Sequence, residues 1–183
     1  MNGDNTSESI KASTNIPEAL IATAKALVSQ RRFGKAIECL DRALEQRPDA
    51  AEWIRYRGDI LQIVARHEDA LKDFESLVTL SPSDAMAKQK LAHSFRSLGR
   101  IQEAEKAFLE ALKLDPGSVD SMADLGNLYR DAGRHREAVE WLSKAVDGAP
   151  SDSGLHAMLG AALLAAGEPA SARQSLEKAF QLN

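Results

Sequence analysis

The chain has 183 residues with 27 acidic against 23 basic side chains, and its formal net charge of −4 excludes the strongly basic footprint of a nucleic-acid binder. Hydrophobic residues make up 44% and aromatics only 5%, a mix that suits helices packed through small side chains and not an aromatic-rich β-sandwich. One cysteine, Cys39, leaves neither an intrachain disulfide nor a Cys-based zinc site, and no run approaches the ~18 apolar residues of a membrane span.

Residues 1–16 are rich in Ser, Thr, Asn and charge and carry no periodic apolar pattern, so they read as a disordered tail. The stretch MNGDNTSESIKASTN has no basic segment followed by an apolar one, hence no secretory signal, and a cytoplasmic protein is expected. Pro17 then opens the first helix, where its missing N–H costs little.

From there prolines keep a fixed rhythm: Pro48, Pro82, Pro116 and Pro150 follow one another at 34-residue intervals, in the blocks RPDA, SPSD, DPGS and APSD. Each proline ends a helical apolar pattern, and the Ser or Asp after it is placed to cap the next helix. Aligned on these prolines, the chain divides into five units: 17–50, 51–84, 85–118, 119–152 and 153–183. Their eighth positions hold Ala24, Gly58, Ala92, Gly126 and Gly160, as expected where two helix backbones cross closely. Their twentieth positions are all alanine (Ala36, Ala70, Ala104, Ala138 and Ala172), and their twenty-fourth are Leu40, Phe74, Phe108, Leu142 and Leu176. Leu27, Leu61, Phe95, Tyr129 and Leu163 stand at the eleventh. Spacings of three, four and seven put these residues on one face of each helix, small against large. Gly99, Gly133 and Gly167 provide the positive φ needed between the two helices of a unit, and Pro169 is placed to begin the last helix. Each helix is expected to span about 14 residues, or ~21 Å. Cys39, beside Leu40, reads as a small buried hydrophobe, and His67 and His135 fall in turns.

There is no GxxxxGK[ST] or GxGxxG phosphate loop, no HExxH helix and no GxSxG elbow, and the four histidines fall in four different units. The reading is therefore of no enzyme in this chain alone, with no cofactor and no metal.

The 34-residue period with these residues in register resembles the tetratricopeptide repeat family over residues 17–183. The chain departs from that pattern at the seventh position, where Thr23 and Arg57 replace leucine, at Trp53, which stands one place early, and at Arg31, which replaces a turn glycine. The resemblance implies an all-α fold, a right-handed α-solenoid of antiparallel helix pairs with about ten helices. It also implies a concave groove lined by the first helix of each unit, which holds a peptide or helix of a partner protein. Carried over position by position, the partner-binding residues are Arg55, Tyr56, Asp59, Gln89, Lys90, His93, Arg96, Asp120, Asp124, Asn127, Arg130 and Met158. Arg55, Lys90, His93 and Arg96 would form a cationic patch, Asp120, Asp124 and Asp131 an acidic one, and Ala157, Met158, Ala161 and Leu164 an apolar floor. The expected partner offers acidic, basic and apolar groups in that order.

Two specialisations of the family are not reproduced. The carboxylate clamp of co-chaperones fails at Ile21, Lys25, Tyr56, Met86 and Lys90, and the asparagine ladder fails because the sixth positions are Ala22, Tyr56, Lys90, Asp124 and Met158. Ala172, Leu176, Ala179 and Phe180 lie where a sixth unit would pack, and are expected to remain exposed. That leads to two expectations: a fragment of a longer protein, or self-association through this face. The leading function is a protein–protein interaction scaffold with no nucleic-acid or membrane partner. The alternative is an N-terminal recruiting or dimerising arm of a larger repeat-fused enzyme, a transferase or oxygenase whose catalytic domain would lie downstream.

Overall fold

The computed structural model describes residues 16–183, so the expected tail lies outside the described residues except for Ile16, which begins the first helix. Among the described residues there are ten α-helices and no strand: α1 (Ile16–Ser29), α2 (Phe33–Gln46), α3 (Ala51–Ile63), α4 (His67–Leu80), α5 (Ala85–Ser97), α6 (Ile101–Leu114), α7 (Val119–Asp131), α8 (His135–Gly148), α9 (Ser153–Ala165) and α10 (Pro169–Gln181). They pair in sequence as helical hairpins. The chain forms two compact units, the first ending at Pro82 and holding α1–α4, the second beginning at Ser83 and holding α5–α10. The first helices of the second to fifth repeats begin at Ala51, Ala85, Val119 and Ser153.

The turn inside each hairpin is built the same way. In the third repeat the Gly99 N–H donates to the Arg96 carbonyl and the Arg100 N–H to the Phe95 carbonyl, so the last carbonyls of α5 are satisfied while the chain reverses. Gly99, Gly133 and Gly167 have φ of 71°, 74° and 81°. Arg31 and Ala65 occupy the same left-handed position at 57° and 58°, at a steric cost that glycine avoids. Ala65→Gly is therefore expected to stabilise the first unit by about 0.5–1 kcal/mol, after allowing for the entropy glycine adds to the unfolded chain. Urea unfolding followed by circular dichroism checks this; an unchanged or lowered midpoint would show that the turn is not strained by the methyl group.

Between hairpins the proline blocks act as expected in the second unit. Asp84 accepts a hydrogen bond from the Ala87 N–H, Ser118 from Ser121, and Asp152 from Gly154 and Leu155. Ala50, at the equivalent place before α3, has no side chain to do this.

Close crossing inside the hairpins explains the small residues. A Cβ on Gly58 would lie 2.7 Å from the Phe74 ring, one on Gly126 2.6 Å from Leu142 Cγ, and one on Gly160 2.7 Å from Leu176 Cγ. Ala36, Ala70, Ala104, Ala138 and Ala172 are each 0% exposed. This corrects one expectation: Ala172 belongs to the core of the last hairpin and not to its exposed face, because its backbone carbonyl sits directly against α9 at Gly160. Cys39 is half-buried and not fully enclosed. His67 and His135 do not lie in turns; each is the first residue of a helix, α4 and α8.

Arg57, the departure at the seventh position, is the centre of a part-buried ion cluster in the first unit. Its Nε and Nη2 donate to the two Asp73 carboxylate oxygens at 2.9 and 2.6 Å, and its Nη1 donates to Asp41 at 2.6 Å. Asp73 is only 4% exposed. Burial pushes its carboxyl above the ordinary value against the opposing pull of the guanidinium, while hydrogen bonding to Asp73 holds Arg57 firmly charged. At the same place in the second unit stand Leu91, Leu125 and Leu159.

Candidate partner-binding face

In the second unit the candidate residues lie on α5, α7 and α9, the first helices of its three hairpins. They are arranged by a repeated contact. The ninth position of one repeat reaches the sixth of the next: His93 Nε2 lies 2.9 Å from Asp124 Oδ2, and Asn127 Nδ2 donates to Met158 Sδ at 3.5 Å. Gln89 Nε2 donates to the same Asp124 oxygen at 2.9 Å, so one carboxylate gathers two side chains a helical turn apart. The His93 ring meets Phe108 edge-on, with centroids 5.3 Å apart, which fixes its orientation from behind. Further along, Arg96 pairs with Asp131, and Arg130 reaches the other Asp131 oxygen at 3.3 Å.

Burial alone would raise the Asp124 carboxyl, but the hydrogen bond and charge of His93, with the Gln89 amide, outweigh it and hold it below its usual range. Asp124 is thereby a fixed anion that ties α5 to α7.

This geometry changes the expected charge order. Arg96 is held by Asp131 and His93 by Asp124, so these two side chains of the expected cationic patch are each engaged by a carboxylate of the expected acidic one within the second unit. An acidic partner would not find Arg96 as an open cation. Gln89 is buried against Asp124 and acts as a strut, not a contact surface. Lys90, Asn127, Arg130 and Met158 are half-buried, and Asp120 is exposed. Asn127 Oδ1 is out of solvent and accepts no hydrogen bond from the protein. The apolar floor is accessible: Ala157, Ala161 and Leu164 are exposed along α9, a helix apolar nearly all round. In the first unit Arg55 is exposed on α3, and Tyr56 and Asp59 are half-buried; burial pushes the Tyr56 phenol up.

A second pattern was missed in the sequence. Arg66, Arg100 and Arg134 precede α4, α6 and α8, and each binds the acid three residues on: Asp69 at 2.6 Å, Glu103 at 2.7 Å and Glu137. Those hydrogen bonds hold Asp69, Glu103 and Glu137 below the usual carboxyl range. Arg100 also stacks on Phe95 and Arg134 on Tyr129, 4.6 and 4.3 Å from the ring centroids. Tyr129 donates to Glu105 at 2.8 Å, and Arg134 holds the other Glu105 oxygen at 2.6 Å. Burial, then the Glu105 acceptor, pushes the Tyr129 phenol up to about 12. The signal was present as Arg-x-x-Asp/Glu recurring at the 34-residue period.

Among the described residues no group of three or more His, Cys, Asp or Glu side chains could hold a metal ion, and no helix is long and apolar enough to cross a membrane.

Comparison with known proteins agrees with this architecture. One tetratricopeptide repeat family model matches residues 21–85 and 90–153, and a second matches 129–183. The small glutamine-rich tetratricopeptide repeat-containing protein 2 of Mycosarcoma maydis is 28% identical over 85 residues, 46% of this chain and 24% of that protein. The chain thus spans about a quarter of the length of that curated relative. Among solved structures, MamA from Desulfovibrio magneticus RS-1, from its residue 41 to its end, superposes with a TM-score of 0.83 at 17% identity, covering 92% of this chain and 95% of that one. YrrB, described as a TPR protein with an unusual peptide-binding site, gives 0.73 at 17% identity over 98% and 93%. These likenesses carry the fold, which is all-α and of the α-solenoid class. With the two family models spanning most of its length and five hairpins repeating at 34 residues, this chain belongs to the tetratricopeptide repeat family.

Proposed function

We propose that this chain is a protein–protein interaction scaffold and that its second unit binds a segment of a partner protein along α5, α7 and α9. The observation that carries this reading is the exposed apolar strip of Ala157 and Ala161 on α9, beside polar side chains already locked in place by Asp124 and Asp131. Locked side chains lose little freedom when a partner docks, and small apolar residues let its backbone come close. The fit is to a segment with an apolar stripe flanked by hydrogen-bonding groups, not to one selected by net acidity. YrrB, of the same fold, is described as having a peptide-binding site, which agrees with such a use.

The test is affinity capture with the 183-residue chain and with Ala157→Asp/Ala161→Asp, both substitutions at exposed positions. Proteins retained by the parent and lost with the variant are expected, with helicity unchanged by circular dichroism. Retention of the same proteins by both would remove α9 from the binding face.

A further inference from the structure

Along α10 and the end of α9, Leu164, Pro169, Arg173, Leu176, Glu177, Phe180 and Gln181 line a groove of about 460 Å³. Leu164, Leu176 and Phe180 are 54%, 39% and 86% exposed, which makes one contiguous apolar surface on two neighbouring helices. Arg173 Nε donates to Glu177 at 2.7 Å along its rim. Isolated exposed leucines are ordinary; three large apolar side chains around one groove mark a surface that another element covers.

We infer that the occupant is a second copy of this chain, docked through α10 in a two-fold antiparallel helix pair. The argument is the arrangement of charge and bulk on this one face. Pro169, Arg173, Leu176, Glu177 and Phe180 follow at spacings of four, three, one and three, so they share one side of the helix. A two-fold axis crossing α10 at the level of Gln174 and Ser175 exchanges the two ends of this row. It lays Phe180 of one copy over Pro169 of the other, each ~8 Å along the helix from the axis at 1.5 Å per residue. The same operation sets Arg173 beside Glu177 of the second copy, twice, so the two intrahelical ion pairs, one in each copy, are exchanged for two intermolecular ones. Leu176, packed by part of its side chain on Gly160 and 39% exposed, adds its open edge near the axis. A surface is self-complementary under a two-fold only if its cation and anion, and its two ends, fall at matching distances from the axis; Phe180 and Pro169 match, and Arg173 and Glu177 match to within one residue rise of about 1.5 Å, which their long side chains span. An unrelated helix would have no reason to match that symmetry.

Sedimentation velocity of the full chain over about 1 µM to 1 mM, the range in which an interface of one helix face titrates, tests this. The expected result is a reversible monomer–dimer equilibrium. Phe180→Asp weakens it at least about tenfold, and Arg173→Glu, which opposes Glu177 with a like charge, does the same. Arg173→Glu/Glu177→Arg restores dimerisation, because the swap reverses both partners of both intermolecular pairs. All three side chains are exposed, so circular dichroism should be unchanged. A monomer at every concentration overturns the proposal, as does a dimer indifferent to Phe180→Asp. Assemblies growing beyond two copies, or failure of the double swap to restore dimers, overturn the two-fold arrangement. Ala157→Asp/Ala161→Asp leaves this equilibrium unchanged, which separates the proposal from partner binding on α9.

Discussion

Replacing Arg57 by leucine, which installs the residue found at the same place in the third, fourth and fifth repeats, is expected to destabilise the first unit by about 3 kcal/mol. The repeat pattern alone would suggest an improvement. The loss arises because Asp73, 4% exposed, then keeps its buried carboxylate without the bidentate guanidinium that compensates it. The half-exposed Asp41 contributes little to the balance. The sign of the pH dependence follows. Burial already raises the Asp73 carboxyl, and losing Arg57 raises it further. A carboxyl with a raised value in the folded state favours folding at low pH, and that contribution disappears as pH rises through the folded value. The deficit of Arg57→Leu is therefore small in acid and grows toward neutrality. Arg57→Leu/Asp73→Ala, which reproduces the Leu91 and Ala107 found in the next repeat, recovers most of the loss or exceeds the parent. Urea unfolding of the three proteins at about pH 4 and about pH 7 decides the matter. A single variant as stable as the parent at neutral pH would mean that Asp73 does not depend on its partner.

Gly126→Val is expected to cost at least about 3 kcal/mol, through overpacking at the tightest crossing of the second unit. The first added carbon already falls 2.6 Å from Leu142 Cγ and 3.3 Å from the Ala138 carbonyl oxygen. The leucine has rotamers to try; the backbone carbonyl of α8 does not yield without separating the helices. Gly126→Ala brings one methyl group, as in Ala92 of the preceding repeat, and gains about 1 kcal/mol of helix propensity in return, so its net loss is smaller. Combining Gly126→Ala with Leu142→Ala should cost less than the sum of the two, because the new methyl enters space the leucine vacates. Thermal unfolding of the four proteins measures that coupling. Strict additivity would show that Gly126 and Leu142 do not share the volume assigned to them.

Much of the fold was legible before any coordinates. Pro48, Pro82, Pro116 and Pro150 act on the local backbone, and the helices start and stop around them as the rhythm implies. Gly99, Gly133 and Gly167 likewise carry a conformational requirement that belongs to the residue itself. The candidate site was legible in a weaker sense. The period assigned residues to a face, but a face is only a list until partners are known. Arg96 and Asp131 lie 35 residues apart, as do Gln89 and Asp124, and nothing local announces that they meet. The expected cationic patch was read helix by helix, whereas Arg96 meets Asp131, and His93 meets Asp124, between helices.

The sequence by itself determined the repeat: its length, its turns, its small-on-large packing positions and the family they define. These follow from short-range sterics and from spacing, which a chain carries in any conformation. Only the tertiary structure decided which charges cancel, that Arg57 serves as the centre of an ion cluster in place of a core leucine, that Ala172 is enclosed, and that Leu164, Leu176 and Phe180 make one surface. Those outcomes depend on distances between residues far apart along the chain, and on burial, which sets the energy of an ion pair and exists only once neighbouring helices have displaced water.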